Sequence, residues 1–391
     1  MNRFFILMFL QVLAANMVHP VTPTFLKALS MPSYLFGAAY AAMSCTNFLF
    51  CPFWGRASDS FGRIRTMTAA ILGYAGGQLL FLYSTTIPQL ILARLIAGLF
   101  SGGCTVCFMA YVADVSEPAR QGRSMAVCAA LTSAGTAAGY LAGGVLGNRT
   151  VQPAFLAQFG LLCLTAAGVG LLLQDGPHYE KRHLHLARAV NPLSAFLDAA
   201  PLMDRTMMFF LLSVFAACFA GTAYDNAFNY YIKDQFAFPP AYNGYIYAAV
   251  GLAGIAVNMT LGMWLQRNTS CRTPLTVILG LAGGTLALSL AIGEIGPYIG
   301  VNMAFYVLNS LYLPLQQALV IRNSRAGHGQ ISGVFSSVRA VGMVTGSLSA
   351  GLLYELAPRL PMAVCAAAFG AAACLNLRGA TGKAPSETTN E

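Results

Sequence analysis

Charge is what this chain has little of. Only 9% of its 391 residues are Asp, Glu, Lys or Arg, where ordinary soluble domains carry about 25%. Hydrophobic residues make up 57% and the mean hydropathy is +0.63. A surface wetted on all sides cannot be built from so few charges, which excludes a soluble enzyme. Long polar stretches are also missing. The longest, Gln174 to Arg205, is too short and too broken for a catalytic domain. The net charge of +9 does not mark a nucleic-acid binder, because Lys and Arg sit in short loops between apolar runs and form no basic patch. The ten cysteines fall mostly inside apolar runs. Cys104-x-x-Cys107 has no second pair and no neighbouring His, so these thiols read as small packing residues. Neither a metal site nor a disulfide framework is expected.

Apolar runs are what the chain has in abundance. A helix needs about 20 apolar residues to cross a bilayer core. Such runs occupy 4–26, 34–54, 67–85, 88–112, 124–147, 153–173, 207–231, 241–265, 274–293, 296–320, 331–355 and 360–377. The first is longer than a signal-peptide core and lacks a small-residue cleavage site, so it reads as a first span. The expected fold is an all-α polytopic membrane protein of twelve transmembrane helices. They fall into two six-helix bundles, 1–173 and 206–378, joined by a central loop over 174–205 and followed by a disordered tail over 379–391. Sixteen Lys and Arg lie in the loops on one side and four, Lys27, Arg149, Lys233 and Arg359, on the other. That bias predicts both termini and the central loop in the cytoplasm.

The halves match at an offset of 207 residues. Gly122/Gly329, Val127/Val334, Gly135/Gly342, Gly139/Gly346, Leu141/Leu348, Gly144/Gly351 and Leu146/Leu353 pair, and the same offset relates Gly55 to Gly262 and Arg65 to Arg272. One offset held across two separated segments argues for duplication, and parallel six-helix halves are a transporter plan.

The segment after span 2 reads Gly55-Arg-Ala-Ser-Asp59-Ser-Phe-Gly62-Arg63-Ile-Arg65. Glycine permits close helix approach, the acid suits a helix N-terminus, and arginines flank a tight glycine turn. Here the chain resembles the major facilitator superfamily, whose loop 2–3 signature acts as a conformational latch. The resemblance implies that Gly55, Asp59, Gly62, Arg63 and Arg65 form the latch, and that Asp114, at the end of span 4, is the partner acid. In the second half Gln266 stands where the acid would be, so no second latch is expected.

Within the spans, Arg94 is similar to the superfamily's span 4 arginine, associated with proton coupling; the alternative is a side chain snorkelling to the outer surface. Gly135, Gly139 and Gly143 step by four along span 5 and make a flat packing face. They resemble an antiporter motif, with Tyr140 where that motif usually has proline. Gly342 and Gly346 repeat the face in span 11. Span 1, with Asn16, His19, Pro20 and Pro23, looks like the first span of twelve-span drug exporters. His19 is then either a protonatable cavity residue or a polar residue at the outer interface.

Asp225 is the one acid expected well inside the bilayer, where an acid marks an ion or substrate path by default. Asn229 shares its face at i+4. The position resembles the proton or cation site of some drug exporters; alternatively span 7 ends early and Asp225 lies in an outer loop. Asn302, Tyr306, Asn309 and Gln316 form one stripe on span 10, as a wet cavity wall or an interhelical seam. Arg339, inside span 11, would favour an anionic group or pair with Asp225. The aromatics of span 7 either line an apolar cavity or face lipid, Tyr230 and Tyr231 at the interface.

No Gly-x4-Gly-Lys loop occurs, which argues against ATP-driven transport. The expected function is secondary active transport by alternating access: proton-coupled efflux of small amphipathic molecules or drugs, by a monomer in the cell membrane, with no cofactor and no enzymatic activity. The runner-up is a carrier of an anionic metabolite or siderophore using Arg94 and Arg339. A membrane-embedded enzyme or a receptor is the remote alternative.

Overall fold

The computed structural model describes residues 2–117, 121–175, 205–323 and 328–378. Nearly all of the central loop and the whole tail named above lie outside the described residues. What is described is helical, with no strand. In chain order the helices are α1 (Asn2–Asn16), α2 (Thr22–Ala28), α3 (Tyr34–Phe61), α4 (Arg63–Leu82), α5 (Ile87–Val115), α6 (Gln121–Leu146) and α7 (Gln152–Leu172). They continue as α8 (Arg205–Gln235), α9 (Pro240–Val257), α10 (Met263–Asn268), α11 (Arg272–Ala291), α12 (Ile295–Asn323), α13 (His328–Leu356) and α14 (Leu360–Arg378). Taking α1 with α2 and α9 with α10, these coincide with the expected apolar runs. Eight are long and apolar enough to cross a membrane by length and composition. Those outside the eight, α4, α6, α12 and α13, carry more glycine, amide, hydroxyl and arginine.

Three departures from a plain set of spans have local causes. Span 1 is broken. A 3₁₀ turn, His19–Val21, separates α1 from α2, because Pro20 and Pro23 lack the N–H groups a continuous helix needs. Span 8 is interrupted by a π-helical segment, Asn258–Gly262. The signature after span 2 is not a loop: α3 runs on to Phe61, with Ser58 Oγ donating to the Gly55 carbonyl at 2.7 Å, and only Gly62 turns. Gly62 has φ +98°, a conformation open to glycine but strained for other residues.

The contacts divide the chain into two compact units. The first comprises the described residues of Met1–Pro192 together with Asp225–Ala256 and Ser347–Pro358. The second comprises those of Leu193–Tyr224, Val257–Gly346 and Arg359–Glu391. In the first unit α5 packs on α3 and α4, α1 on α6 and α7, and α4 on α7. Met67, Ile71, Tyr74, Ala97, Cys104, Cys107 and Val112 fill the core between them, so the CxxC thiols sit there as apolar packing. In the second unit α11 packs on α12 and α14.

Glycines set how closely these helices approach. On α6, Gly135 lies against Val12 and the Phe9 carbonyl, Gly139 against the Leu13 carbonyl, and Gly143 against the Met17 carbonyl. On α13, Gly342 meets the Phe215 carbonyl and Gly346 the Phe219 carbonyl. Phe9 and Leu13 precede Phe215 and Phe219 by 206 residues, so α6 seats on α1 as α13 seats on α8. The same motif is built once in each unit.

A side chain at Gly143 has nowhere to go, because the obstacle is backbone. Gly143→Val should cost about 1–3 kcal/mol or more and lower the thermal midpoint in detergent. Gly160→Ala, whose added Cβ meets open space, should change stability by under about 0.5 kcal/mol. Equal midpoints for the two variants would refute the backbone-contact account.

Candidate functional site

Three groups of polar side chains lie in the first unit. The first surrounds the α3–α4 turn. Arg63 pairs with Asp59 one turn back, donates from Nε to Asp114 Oδ2 at 2.7 Å, and from Nη1 to Ser58 Oγ at 2.6 Å. One guanidinium thereby ties α4 to the ends of α3 and α5. Asp175, just beyond α7, accepts from the Ile64 N–H at 3.0 Å and caps the start of α4. A Cβ on Gly62 would stand 2.8 Å from the Asp175 carboxylate, so the glycine is required for space as well as for φ. Gln174 is held beside it, its carbonyl accepting from Tyr111 at 3.2 Å. Gly55 packs near Val106 of α5, and Arg65 is exposed on the first turn of α4.

The second group encloses Arg94, which is 1% exposed and does not snorkel. Its Nη1 donates to Gln78 Oε1 at 3.4 Å and its Nη2 to Thr22 Oγ1 at 3.5 Å. The guanidinium lies 3.6 Å from the ring centre of Phe81 and 5.5 Å from that of Tyr40. Nε has no hydrogen-bond partner, and no carboxylate among the described residues forms an ion pair with Arg94. Neutral dipoles and π-faces therefore hold a buried cation.

The third group lies toward the opposite end of the same unit from the α3–α4 turn. α8 runs on to Gln235, so Asp225 lies ten residues inside a helix and not in a loop. Its carbonyl accepts from the Tyr247 hydroxyl at 3.2 Å. Asn229, one turn on, donates to the His19 carbonyl at 3.0 Å and accepts at Oδ1 from Asn243 at 2.6 Å. The His19 carbonyl is free to accept because its intrahelical donor would be the N–H of residue 23, which is proline. The His19 ring stacks between Tyr40 and Tyr140 at 5.6 Å from each, with Nδ1 2.9 Å from the Tyr40 hydroxyl. Asn16 holds α1 to α6, bonding the Val12 carbonyl and Thr136.

Nearer the end of the unit, Lys27 pairs with Asp234, and Tyr354 donates to Asp234 at 2.8 Å. Tyr230 stacks on Phe36 at 4.6 Å. Tyr230 and Tyr231 are buried, which corrects the expectation that they face lipid. They complete an aromatic wall around the ion pair.

The second unit holds the α12 stripe. Asn302, Tyr306 and Gln316 are buried. Asn302 Nδ2 returns to the Tyr298 carbonyl at 2.6 Å. Asn302 Oδ1, Asn309 Oδ1 and both polar atoms of Gln316 have no hydrogen-bond partner among the described residues, as suits groups solvated by water or substrate. Arg339 lies 5.6 Å from the Phe335 ring, and its Nε has no hydrogen-bond partner among the described residues. Asn258 of the π segment donates to the Ser310 carbonyl at 3.2 Å, four residues before Pro314, the same device as Asn229 and Pro23.

A family model described as Major Facilitator Superfamily matches residues 4–347. The chain belongs to that superfamily. Multidrug resistance protein 2 of Bacillus subtilis (strain 168) is 22% identical over 349 residues, which span 89% of this chain and 87% of the relative. Tetracycline resistance protein, class C, of Escherichia coli is 26% identical over 353 residues, spanning 88% and 87%. Among solved structures, that of the human organic anion transporter MFSD10 (TETRAN) has a TM-score of 0.69 at 20% identity, covering 96% of this chain and 98% of that one. The likeness is one of fold. This superfamily member is accordingly an all-α, multi-pass membrane transporter of small molecules.

Several structural partners were invisible to pattern reading. Asp175 is a lone acid at the start of a polar stretch. Tyr40, Gln78, Asn243 and Tyr247 are single polar or aromatic residues in apolar runs, with no spacing to single them out. The only signal for Asn243 and Tyr247 is that they lie one turn apart on a span beginning with proline.

Asn229 joins two helices through an acceptor that no other backbone group claims. Asn229→Ala should lower stability by about 1–3 kcal/mol, the cost of leaving buried partners unsatisfied. Thermal unfolding of purified protein measures it. A loss under 0.5 kcal/mol would show that water replaces the amide.

Proposed function

We propose that this transporter is a proton-coupled exporter of small amphipathic molecules. It works by alternating access of two six-helix halves, 1–173 and 206–378, as a monomer in the cell membrane. The arginine and lysine bias supports cytoplasmic termini. One observation carries the reading. Among the described residues, Asp225 is the single carboxylate deep inside a helix. Asp59, Asp114, Asp234 and Glu355 lie within two residues of a helix end, and Glu117, Asp175 and Glu294 lie between helices.

A carboxylate at that depth is costly as an anion unless something compensates it. A proton does so by neutralising it, and a cationic substrate does so by pairing with it. Both therefore compete for one site, which is the condition for exchange. Arg94, buried with no carboxylate ion pair among the described residues, places a fixed positive charge in the same unit. Asn16, His19 and Asn229 in the first unit, and Asn302, Tyr306, Asn309, Gln316 and Arg339 in the second, are the proposed substrate-path residues. The names of the Bacillus and Escherichia relatives, both resistance proteins, support export.

A second reading rests on the uncompensated Arg94 together with Arg339. Two cations set among amides and aromatics suit an anionic metabolite or siderophore.

Uptake into inverted vesicles under an imposed pH gradient separates the two. Lipophilic cations should accumulate in wild-type vesicles, and Asp225→Asn should reduce that accumulation at least about tenfold while the protein remains folded. Transport confined to organic anions, sensitive to Arg339→Gln and indifferent to Asp225→Asn, would replace the exporter reading with the second one.

A further inference from the structure

The His19 ring is one rung of a longer array. Tyr40, His19, Tyr140 and Tyr247 follow one another as near-parallel rings. Successive centroids are 5.6, 5.6 and 4.4 Å apart and successive planes differ by 12°, 12° and 23°. Phe228 closes the end edge-on to Tyr247 at 67°. The four stacked rings come from four separate segments: α3, the 3₁₀ turn, α6 and α9. All four are half-buried, so their faces are held by one another rather than sealed in a core.

Two features set the Tyr140–Tyr247 step apart. It has the shortest spacing in the array. It also lies where α6 and α9 approach closely, since a Cβ on Gly144 would stand 2.7 Å from the Pro240 carbonyl and one on Gly244 2.7 Å from the Tyr140 carbonyl. Asp225 adjoins this step, its carbonyl bound to the Tyr247 hydroxyl.

We infer that Tyr140 and Tyr247 form a clamp for the planar aromatic ring of a cationic substrate, which enters the array as an additional rung beside Asp225. A flat ring needs faces roughly 7 Å apart, about 3.5 Å to each side. Separation of α9 from α6 by one ring thickness provides that space. The tyrosine–tyrosine contact is then exchanged for two tyrosine–ligand contacts of the same kind. The outer rings, His19 and Tyr40, keep Tyr140 in plane. A cationic ring gains further from the electron-rich faces and from the neighbouring carboxylate. The inference deepens the exporter reading by naming a substrate class, and it accounts for tyrosine at position 140, where the superfamily's motif usually has proline.

The test compares ethidium, whose fused ring system is one extended plane, with tetraphenylphosphonium, a tetrahedral cation whose four phenyl rings crowd one another and cannot slide fully between two parallel faces. Binding of each to purified protein is measured for wild type, Tyr140→Leu, Tyr247→Leu and Tyr140→Phe. Either leucine variant should raise the ratio of ethidium Kd to tetraphenylphosphonium Kd about tenfold, and Tyr140→Phe should keep the wild-type ratio. Thermal unfolding identifies any variant that fails to fold, in which case the other leucine variant decides. A ratio within twofold of wild type in the folded leucine variants overturns the clamp, as does wild-type protein that binds no ethidium. Vesicle transport is scored separately. Binding that follows the prediction without proton-driven accumulation rejects the exporter reading and leaves the clamp standing.

Discussion

Contact between helix backbones is the constraint on which the rest of this molecule depends. In lipid there is little hydrophobic gain from pressing two apolar helices together, so association rests on close packing and on polar contacts between helices. Gly139 and Gly143 of α6 bring the main chain onto the carbonyls of Leu13 and Met17, and Gly346 of α13 does the same on Phe219. At that distance the side chains beside the glycines are forced into register. Asn16 reaches Thr136, and Tyr140 is presented to His19 and Tyr247. The glycines let the backbones come close, and at that distance the polar groups reach their partners.

Charge is then handled in two ways. Near the helix ends, carboxylates and cations pair directly, as in Asp59–Arg63–Asp114 and Lys27–Asp234. Deeper, Arg94 is held by neutral groups: an amide, a hydroxyl and the faces of aromatic rings. Neutral surroundings stabilise a charge less completely than an opposite charge would.

The helices that coincide with the twelve expected apolar runs were legible in the sequence because a bilayer imposes a length and a polarity on each helix. The loop 2–3 signature was legible because its spacing is particular, and Asp225 because an acid in an apolar run is conspicuous. The interruptions were partly legible. Pro20 and Pro23 announce the break in span 1, whereas the π segment at Asn258–Gly262 has no comparable marker. Least legible were the residues that act by being opposite something. Asp175 and Tyr354 carry no signature, since their partners lie more than a hundred residues away in the chain and only packing brings them together. The lipid-facing expectation for Tyr230 and Tyr231 failed for the same reason: an aromatic at a span end is read as an interface anchor unless Phe36 and Tyr354 are known to stand in front of it.

The carbonyl released by Pro23 separates two things that residue 19 supplies. Its oxygen, which receives Asn229, belongs to the main chain and is guaranteed by a proline four positions away. Its ring, which stacks with Tyr40 and Tyr140, belongs to the side chain. Substitution at position 19 can therefore alter the ring array while the hydrogen bond to α8 is inherited unchanged. A lineage of such transporters is free to explore new chemistry at this position without first rebuilding the joint that holds the helix there.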